Sequence, residues 1–295
     1  MGDGGPFSLS PHLLIPPSPI DMNLEQVSSE IRNSASKRRM VHLRVEQLSI
    51  SFGGLKALHG VSFAVNQGEI YSIIGPNGAG KTTVFNCISG IYKPNEGKIF
   101  FKDQDITSFK PHQVAQAGIA RTFQNIELFS RMTTMDNLML GRHNKLRSGI
   151  FAGATFLTPK SKAAREEIEQ REKVEEIIDF LELQAARNQL VINLPYGTQK
   201  LIELGRALAL EPEILLLDEP SAGMNLEEKE NLIFYVKDIR DDFDTTILLV
   251  EHDMNMVMDI SDRILVLNYG LVIAEGKPEE IQKHPEVLKA YLGEG

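Results

Sequence analysis

The stretch EIYSIIGPNGAGKTTVFNCIS, residues 69–89, decides the fold. Its first part, EIYSIIG, reads as a continuous apolar run, which is typical of a β-strand buried on both faces. Its middle part matches the pattern G-x-x-x-x-G-K-[ST], and its last part reads as a helix. A buried strand, a glycine-rich turn and a helix in this order predict a P-loop, which holds the phosphates of a nucleoside triphosphate.

The P-loop residues have separate expected tasks. Glycines let the backbone come close enough for successive N–H groups to point at phosphate oxygens, and the helix N-terminus adds partial positive charge. Lys81 is expected to reach the β- and γ-phosphates, and the Thr82 hydroxyl to bind Mg²⁺. The predicted nucleotide-binding residues of this stretch are Gly75, Pro76, Asn77, Gly78, Ala79, Gly80, Lys81, Thr82 and Thr83.

Two further buried strands end in polar side chains. ILLLD ends in Asp218, a candidate Mg²⁺ ligand, and Glu219 follows it and points the other way, where a carboxylate can activate a water molecule. TTILLVEH ends in His252, which is a candidate for holding the γ-phosphate or that water, with a structural role as the alternative. Because the carboxyl ends of parallel strands meet at one edge, we expect these side chains near Lys81.

The remaining chain shows three other patterns. Residues 41–65 alternate between apolar and polar, which predicts strands with one solvated face, and residues 264–276 read as a hairpin. Residues 125–205 read as a mostly helical insert between core strands. One amphipathic helix in it carries an apolar face formed by Val174, Ile177, Ile178 and Leu181. Buried strands separated by helices predict an α/β fold with a parallel sheet covered on both sides.

Two segments stand apart from this pattern. Residues 1–40 are rich in proline, lack a sustained apolar period and end in KRR before Met40, so we expect them to be disordered, with the folded part beginning at Val41. GIFAGATFL at 149–157 is apolar but too short to span a bilayer. It is either buried or an exposed patch for a membrane partner.

The composition bounds the function. The net charge of −9 argues against a general nucleic-acid binder, because such proteins present a broad basic face. The single cysteine, Cys87, lies among apolar neighbours and suits a reducing compartment. No stretch approaches the roughly 18 apolar residues of a membrane helix, so we expect any membrane role to come through a partner.

A second candidate phosphate site lies in NLPYGTQ, residues 193–199. Its glycine and hydroxyl open a helix, and the start of a helix favours an anion. The chain already has a P-loop for its own nucleotide. The order of these motifs, together with Phe123–Gln124, resembles that of the ATP-binding subunits of ABC transporters. The resemblance covers about 41–295.

Within that family the chain is most similar to the ATP-binding subunits of branched-chain amino-acid importers. The stretches that carry this similarity are RTFQNIELFSRMTTMDNL, LPYGTQ, DEPSAGMN, EHDMNMVM and AYLGE. The resemblance implies a P-loop NTPase domain of the ABC ATPase type, with a parallel core sheet, an N-terminal antiparallel β subdomain and a helical insert. It implies an ATPase that uses ATP and Mg²⁺.

The resemblance also assigns roles to residues. Gln124 looks like the Q-loop glutamine, which senses Mg²⁺ and water and passes movement toward the membrane subunit. Phe52 aligns with the aromatic residue that stacks on adenine, although a core-facing strand residue is the alternative. Glu219 resembles the catalytic glutamate and His252 the switch histidine. NLPYGTQ, with Gly197, Thr198 and Gln199 at its helix start, would hold the ATP of a second subunit that pairs head to tail.

The implied partners are two integral-membrane permeases, a second ATP-binding subunit and, indirectly, a solute-binding protein, at the cytoplasmic face of the inner membrane. That second subunit is either a copy of this chain or a different one. Pro195 and Tyr196 replace the serine and first glycine of the general signature LSGGQ, and Asn225 stands where an aspartate is common. These departures leave the contact with the partner's nucleotide open.

Three alternatives remain open. An importer of this family for another small solute, such as urea or amides, would carry the same motifs. A soluble ABC ATPase of translation or DNA repair would normally show tandem domains or a long coiled-coil insert. A GTPase or small-molecule kinase is disfavoured, because Asn144–Lys145 is not followed by the aspartate that reads guanine.

Overall fold

The computed structural model describes residues 40–143 and 162–292. The expected disorder before Met40 and the segment GIFAGATFL at 149–157 lie outside the described residues. A compact unit begins at Val41, where the alternating sequence begins.

Ten strands are described. They are β1 (Val41–Phe52), β2 (Leu55–Asn66), β3 (Ile70–Ile74), β4 (Glu96–Phe101), β5 (Gln104–Asp105), β6 (Ile119–Arg121), β7 (Ile214–Asp218), β8 (Thr246–Val250), β9 (Arg263–Asn268) and β10 (Leu271–Gly276).

These strands form two sheets. The first has the order β2-β1-β4-β5 and is antiparallel. The second has the order β10-β9-β3-β8-β7-β6, and its pairs are parallel except for the hairpin of β9 and β10. This arrangement confirms the predicted parallel core sheet and the N-terminal antiparallel sheet.

The described helices are α1 (Lys81–Ile88), α2 (Pro111–Ala117), α3 (Thr134–Gly141), α4 (Lys162–Phe180), α5 (Tyr196–Leu208), α6 (Leu226–Asp242), α7 (Met254–Ile260), α8 (Pro278–Ile281) and α9 (Pro285–Leu292). Helices α3, α4 and α5 lie between β6 and β7, in the region predicted to be helical. None of the helices in the described ranges has the length and apolar character that crossing a bilayer requires.

The core sheet is buried on both faces because every residue of β3, β7 and β8 is buried. Leu215 and Leu217 of β7 belong to an apolar cluster that includes residues of α3, α4 and α5, which together form the helical segment. Ile214 and Leu216 point the other way, into a cluster that includes the N-terminal sheet. The apolar face predicted for α4 is buried in the first cluster, at Val174, Ile177, Ile178 and Leu181.

The hairpin of β9 and β10 supports the P-loop from one side. Its turn residues Tyr269 and Gly270 both have positive φ, as tight hairpin turns require. The Gly270 N–H donates to the Ala79 carbonyl at 2.9 Å, and the Gly270 carbonyl accepts from His59 N–H at 2.9 Å. The turn therefore connects the P-loop to β2.

Candidate functional site

The P-loop joins β3 to α1 and depends on two glycines. Gly75 has φ +149°, and a Cβ there would lie 2.0 Å from the Leu267 carbonyl oxygen. Gly80 precedes α1 with φ +104°, and a Cβ there would lie 2.7 Å from Leu58. Both the backbone conformation and the close neighbours exclude any side chain at these positions.

Lys81 lies inside the P-loop. Its ammonium donates to the carbonyl oxygens of Gly75 at 2.7 Å and Pro76 at 3.0 Å. Burial lowers the pKa of Lys81, and the charges of Glu219 and Asp218 oppose this shift. Of the other predicted nucleotide-binding positions in the loop, Asn77, Gly78 and Thr82 are exposed, Thr83 is half-buried, and Pro76 and Ala79 are buried.

Asp218 ends β7 and is buried, with 1% of its surface exposed. Its Oδ2 accepts a hydrogen bond from Arg121 Nη2 at 2.7 Å. Among the described residues, its buried Oδ1 has no hydrogen-bond partner. Burial raises the pKa of Asp218, and the hydrogen bond and charge of Arg121 oppose that rise. An unpartnered carboxylate oxygen next to a P-loop fits a Mg²⁺ site, since Mg²⁺ prefers oxygen ligands.

Glu219, Gln124 and His252 form one hydrogen-bonded group. The Gln124 side-chain amide donates to Glu219 Oε2 at 2.8 Å, and His252 Nε2 lies 2.6 Å from Glu219 Oε1. Glu219 has φ +49°, a conformation uncommon outside glycine, and its N–H donates to the Val250 carbonyl at 2.8 Å. The structure thus brings together three residues that the sequence placed on separate elements.

Phe52 lies at the end of β1 with 44% of its surface exposed. Its ring meets that of Tyr92 edge to face, with centroids 5.1 Å apart. The core-facing alternative for Phe52 is therefore not what the structure shows.

The start of α5 contacts its own chain. A Cβ on Gly197 would lie 2.1 Å from Glu228 Oε1 of α6. The Gln199 amide donates to the Leu194 carbonyl at 2.8 Å, so this side chain is used locally. Thr198 lines a surface cleft of about 390 Å³ on the helical segment, next to Pro195.

Helix α5 also holds the segment that contains Gln124. The ammonium of Lys200 donates to the Gln124 carbonyl at 2.7 Å, and the carboxylate of Glu203 lies 3.4 Å from the N–H groups of Phe123 and Glu127. Both side chains are buried, and burial lowers the pKa of Lys200 and raises that of Glu203. Arg206, farther along α5, donates to the Glu127 carbonyl at 2.6 Å.

Sequence reasoning missed several of these residues. Glu251 is buried and accepts from the N–H groups of Ser221 and His252, so it connects the ends of β7 and β8. A carboxylate directly before His252 at the end of a buried strand was the available signal. Arg121 at the end of β6 could have been noticed as a cation three residues before Gln124.

The parallel sheet, the P-loop and the acidic strand end define a P-loop nucleotide-binding protein. The family model described as ABC transporter matches residues 58–222, and the model described as branched-chain amino acid ATP-binding cassette transporter matches residues 272–295. The chain therefore belongs to the ABC transporter family and is one of its ATP-hydrolysing, ATP-binding cassettes.

Several relatives are similar over nearly their whole length. The high-affinity branched-chain amino acid transport ATP-binding protein LivG of Salmonella typhimurium is 44% identical over 85% of this chain and 98% of its own. BraF of Pseudomonas aeruginosa, which carries the same description, is 42% identical with the same coverage. The probable LivG of Methanocaldococcus jannaschii is 37% identical over 85% of this chain and 97% of its own.

Solved structures show the same fold. A nucleotide-free ATP-binding cassette of an ABC transporter is 34% identical, with a TM-score of 0.74 over 85% of this chain and 99% of its own. A dimeric post-hydrolysis cassette bound to ADP and Pi is 26% identical, with a TM-score of 0.67 over 80% of this chain and 98% of its own.

The contact between Gly197 and Glu228 generates a prediction about stability. Glu228 accepts the Asn225 N–H in the cap of α6, and the Cβ of Gly197→Ala should displace this carboxylate. We expect a loss of about 1–2 kcal/mol in the free energy of unfolding, measured by urea denaturation. In a double-mutant cycle with Glu228→Ala, the double variant should be no less stable than Glu228→Ala alone. Fully additive losses would contradict the contact.

Proposed function

We propose that this chain is the ATP-hydrolysing subunit of an importer for branched-chain amino acids. The observation that carries the hydrolytic part is Glu219, which contacts both Gln124 and His252 at the sheet edge where the P-loop lies. The amino-acid part rests on relatives of that description, 44% identical over 98% of their length. An importer for urea or amides is the alternative.

We infer that Mg²⁺ binds with the ATP phosphates. Thr82 on the first turn of α1, Asp218 through its Oδ1 and the side chain of Gln124 would hold it. Bound Mg²⁺ supplies positive charge that offsets charge on the transferred phosphoryl group. Lys81 supplies a second positive charge once its ammonium leaves the P-loop carbonyls for phosphate oxygens.

Glu219 is proposed as the general base. Its side chain is 12% exposed, so it is largely enclosed by its neighbours and still reached by solvent. Gln124 bonds to one of its oxygens and His252 to the other. These two bonds orient the carboxylate before ATP binds. Proton transfer from the attacking water to Glu219 would follow from that orientation.

The second nucleotide contact is proposed to come from another subunit. The first N–H groups of α5, from Tyr196 to Thr198, have no acceptor within the helix, and a helix N-terminus favours an anion. A relative forms a dimer bound to ADP and Pi. We propose that the start of α5 holds the γ-phosphate of ATP on a second ATP-binding subunit, either a copy of this chain or a homologous one.

The membrane partners are proposed to dock beside the Gln124 segment. Phe129, Leu190 and Ile192 are 58%, 41% and 61% exposed, and the Ile192 N–H donates to the Ser130 carbonyl, so the three side chains lie on adjoining backbone segments. An exposed apolar patch of this kind suits a protein partner. We propose two integral-membrane permeases at the cytoplasmic face of the membrane, which receive the solute from a separate binding protein.

Glu219→Gln should keep ATP binding and lower turnover by about 10²–10⁴, because an amide cannot take the proton of water. Hydrolysis by the purified chain and uptake of labelled leucine by membrane vesicles that contain its permeases measure this. The exposed Glu279→Gln is the matched control and should behave like the wild type. Near-normal hydrolysis by Glu219→Gln would remove the general-base assignment. Wild-type vesicles that import labelled urea and not leucine would replace the substrate class and leave the ATPase in place.

Phe52→Leu should weaken binding of ATP and ADP alike, because a stacked base contributes about 1–3 kcal/mol, or roughly 5- to 150-fold. Phe52→Tyr keeps the ring and should bind as the wild type does. Calorimetric titration measures both variants. Equal affinity of Phe52→Leu and the wild type would show that the ring does not contact the nucleotide.

The shared-site proposal is best tested at Tyr196, which is 45% exposed and opens α5. Tyr196→Asp should preserve its own helix, since a carboxylate suits a helix start, and should repel the γ-phosphate of a facing ATP. Tyr196→Asn, without the charge, is the control and should stay active. Gly197→Asp does not test this contact, because a side chain on Gly197 would collide with Glu228 of the same chain.

The decisive measurement mixes two inactive chains, Lys81→Ala and Tyr196→Asp. If two copies share their sites, the mixed pair contains one site with both defects and one intact site, and hydrolysis should reappear. If the partner is a homologous chain, hydrolysis appears only after that chain is added. Full activity of Tyr196→Asp alone, linear with protein at high dilution, would show that a single chain suffices.

A further inference from the structure

Arg121 is a buried cation that connects three parts of the nucleotide site. It ends β6, and its side chain is 7% exposed. Nη2 donates to Asp218 Oδ2 at 2.7 Å. Nη1 donates to Asn86 Oδ1 at 2.7 Å and to Ser89 Oγ at 2.8 Å, both of which belong to α1 or its C-terminal cap. A planar guanidinium can make these bonds together, whereas an ammonium cannot in this geometry.

Two aromatic rings fix the guanidinium further. Its carbon lies 5.7 Å from the ring centre of Phe85 on α1 and 5.0 Å from that of Phe123, the residue before Gln124. Arg121 thus touches the P-loop helix, the carboxylate at the end of β7 and the start of the Gln124 segment.

The division of the two Asp218 oxygens gives Arg121 a specific task. Oδ2 is occupied by the guanidinium, and the buried Oδ1 has no hydrogen-bond partner among the described residues. We propose that Arg121 is a positioning residue that fixes the rotation of the Asp218 carboxylate, so that Oδ1 is presented to Mg²⁺. This inference rests on the proposed assignment of Asp218 to the Mg²⁺ site, and it assigns Arg121 no contact with the nucleotide.

The test measures ATP binding and its dependence on Mg²⁺. ATP affinity is determined by calorimetry in EDTA and across a series of Mg²⁺ concentrations, for the wild type and Arg121→Gln. We expect Arg121→Gln to bind ATP in EDTA with the affinity of the wild type, because its P-loop is intact. The Mg²⁺ concentration that gives half of the maximal change in ATP affinity should be about 10- to 100-fold higher, which is the usual effect of losing a partner that orients a metal ligand. Arg121→Lys keeps the charge and should give a smaller shift. It carries the test if Arg121→Gln does not fold.

Arg142 provides the matched control. It is also buried, and it bonds to Gln170, to the Ala209 carbonyl and to Glu211 on the helical segment. Arg142→Gln should lower the melting temperature and leave the Mg²⁺ dependence unchanged. If Arg121→Gln behaves like Arg142→Gln while Asp218→Asn raises the Mg²⁺ requirement, Arg121 is merely structural and the inference is overturned. If Asp218→Asn also leaves the Mg²⁺ requirement unchanged, the proposed Mg²⁺ assignment itself is wrong.

Discussion

The hydrogen-bond register of three parallel strands places the reacting groups. Ile73 of β3 pairs with Val250 of β8, and Val250 also pairs with Asp218 of β7. Ile73, Val250 and Asp218 therefore lie side by side in the sheet. The first residue of the P-loop, Glu219 and His252 each lie one or two residues beyond them. Because side chains alternate along a strand, a slip of one residue in any pairing would send one of them to the opposite face. The register in which the side chains of both faces pack therefore also sets the geometry of the site.

The helical segment is joined to that edge by polar contacts within a buried environment. Lys200 and Glu203 bond to the backbone around Gln124 from one helix, and the same helix begins at the proposed contact with the second subunit. Buried charges that are paired and bonded to backbone groups are costly to separate. A displacement at the start of α5 would therefore move the backbone of Gln124 directly. Because the Gln124 side chain donates to Glu219, the displacement would also reach Glu219. Phe129 of the exposed patch lies five residues after Gln124, so the same connection extends toward a membrane partner.

Local patterns predicted the parts of the molecule that depend on local chemistry. The P-loop, the buried strands and the apolar face of α4 could be read because each is a repeat or spacing within one element. Phe52 could not be assigned, because it shares the alternation of the buried residues Leu48 and Ile50. The pairing of β1 with β2 shifts register between Ile50 and Ser51, and beyond this irregularity Phe52 is exposed. Alternation in a sequence does not reveal a bulge.

Contacts between distant parts of the chain were the second limit. Arg121 and Asp218 are 97 residues apart in sequence, and the stretch RTFQ that begins with Arg121 gives no sign of a contact with Asp218. The resemblance to the family implies that Gly197 faces the ATP of a second subunit. Its nearest neighbour is instead Glu228 of the same chain, which only the packing of α5 on α6 reveals.

The departures from the family signature have a local explanation in the helix starts. Pro195 occupies the N-cap of α5 with φ −55°, and the N–H that proline lacks precedes the helix and needs no partner there. The free N–H groups that follow it are retained, so the start of α5 keeps its capacity to bind an anion without the serine hydroxyl. Asn225 is the N-cap of α6, and its side chain accepts the Glu228 N–H at 3.0 Å, as an aspartate would. Both substitutions preserve a helix terminus, and the chemistry proposed for this edge depends on the helix termini more than on the replaced side chains.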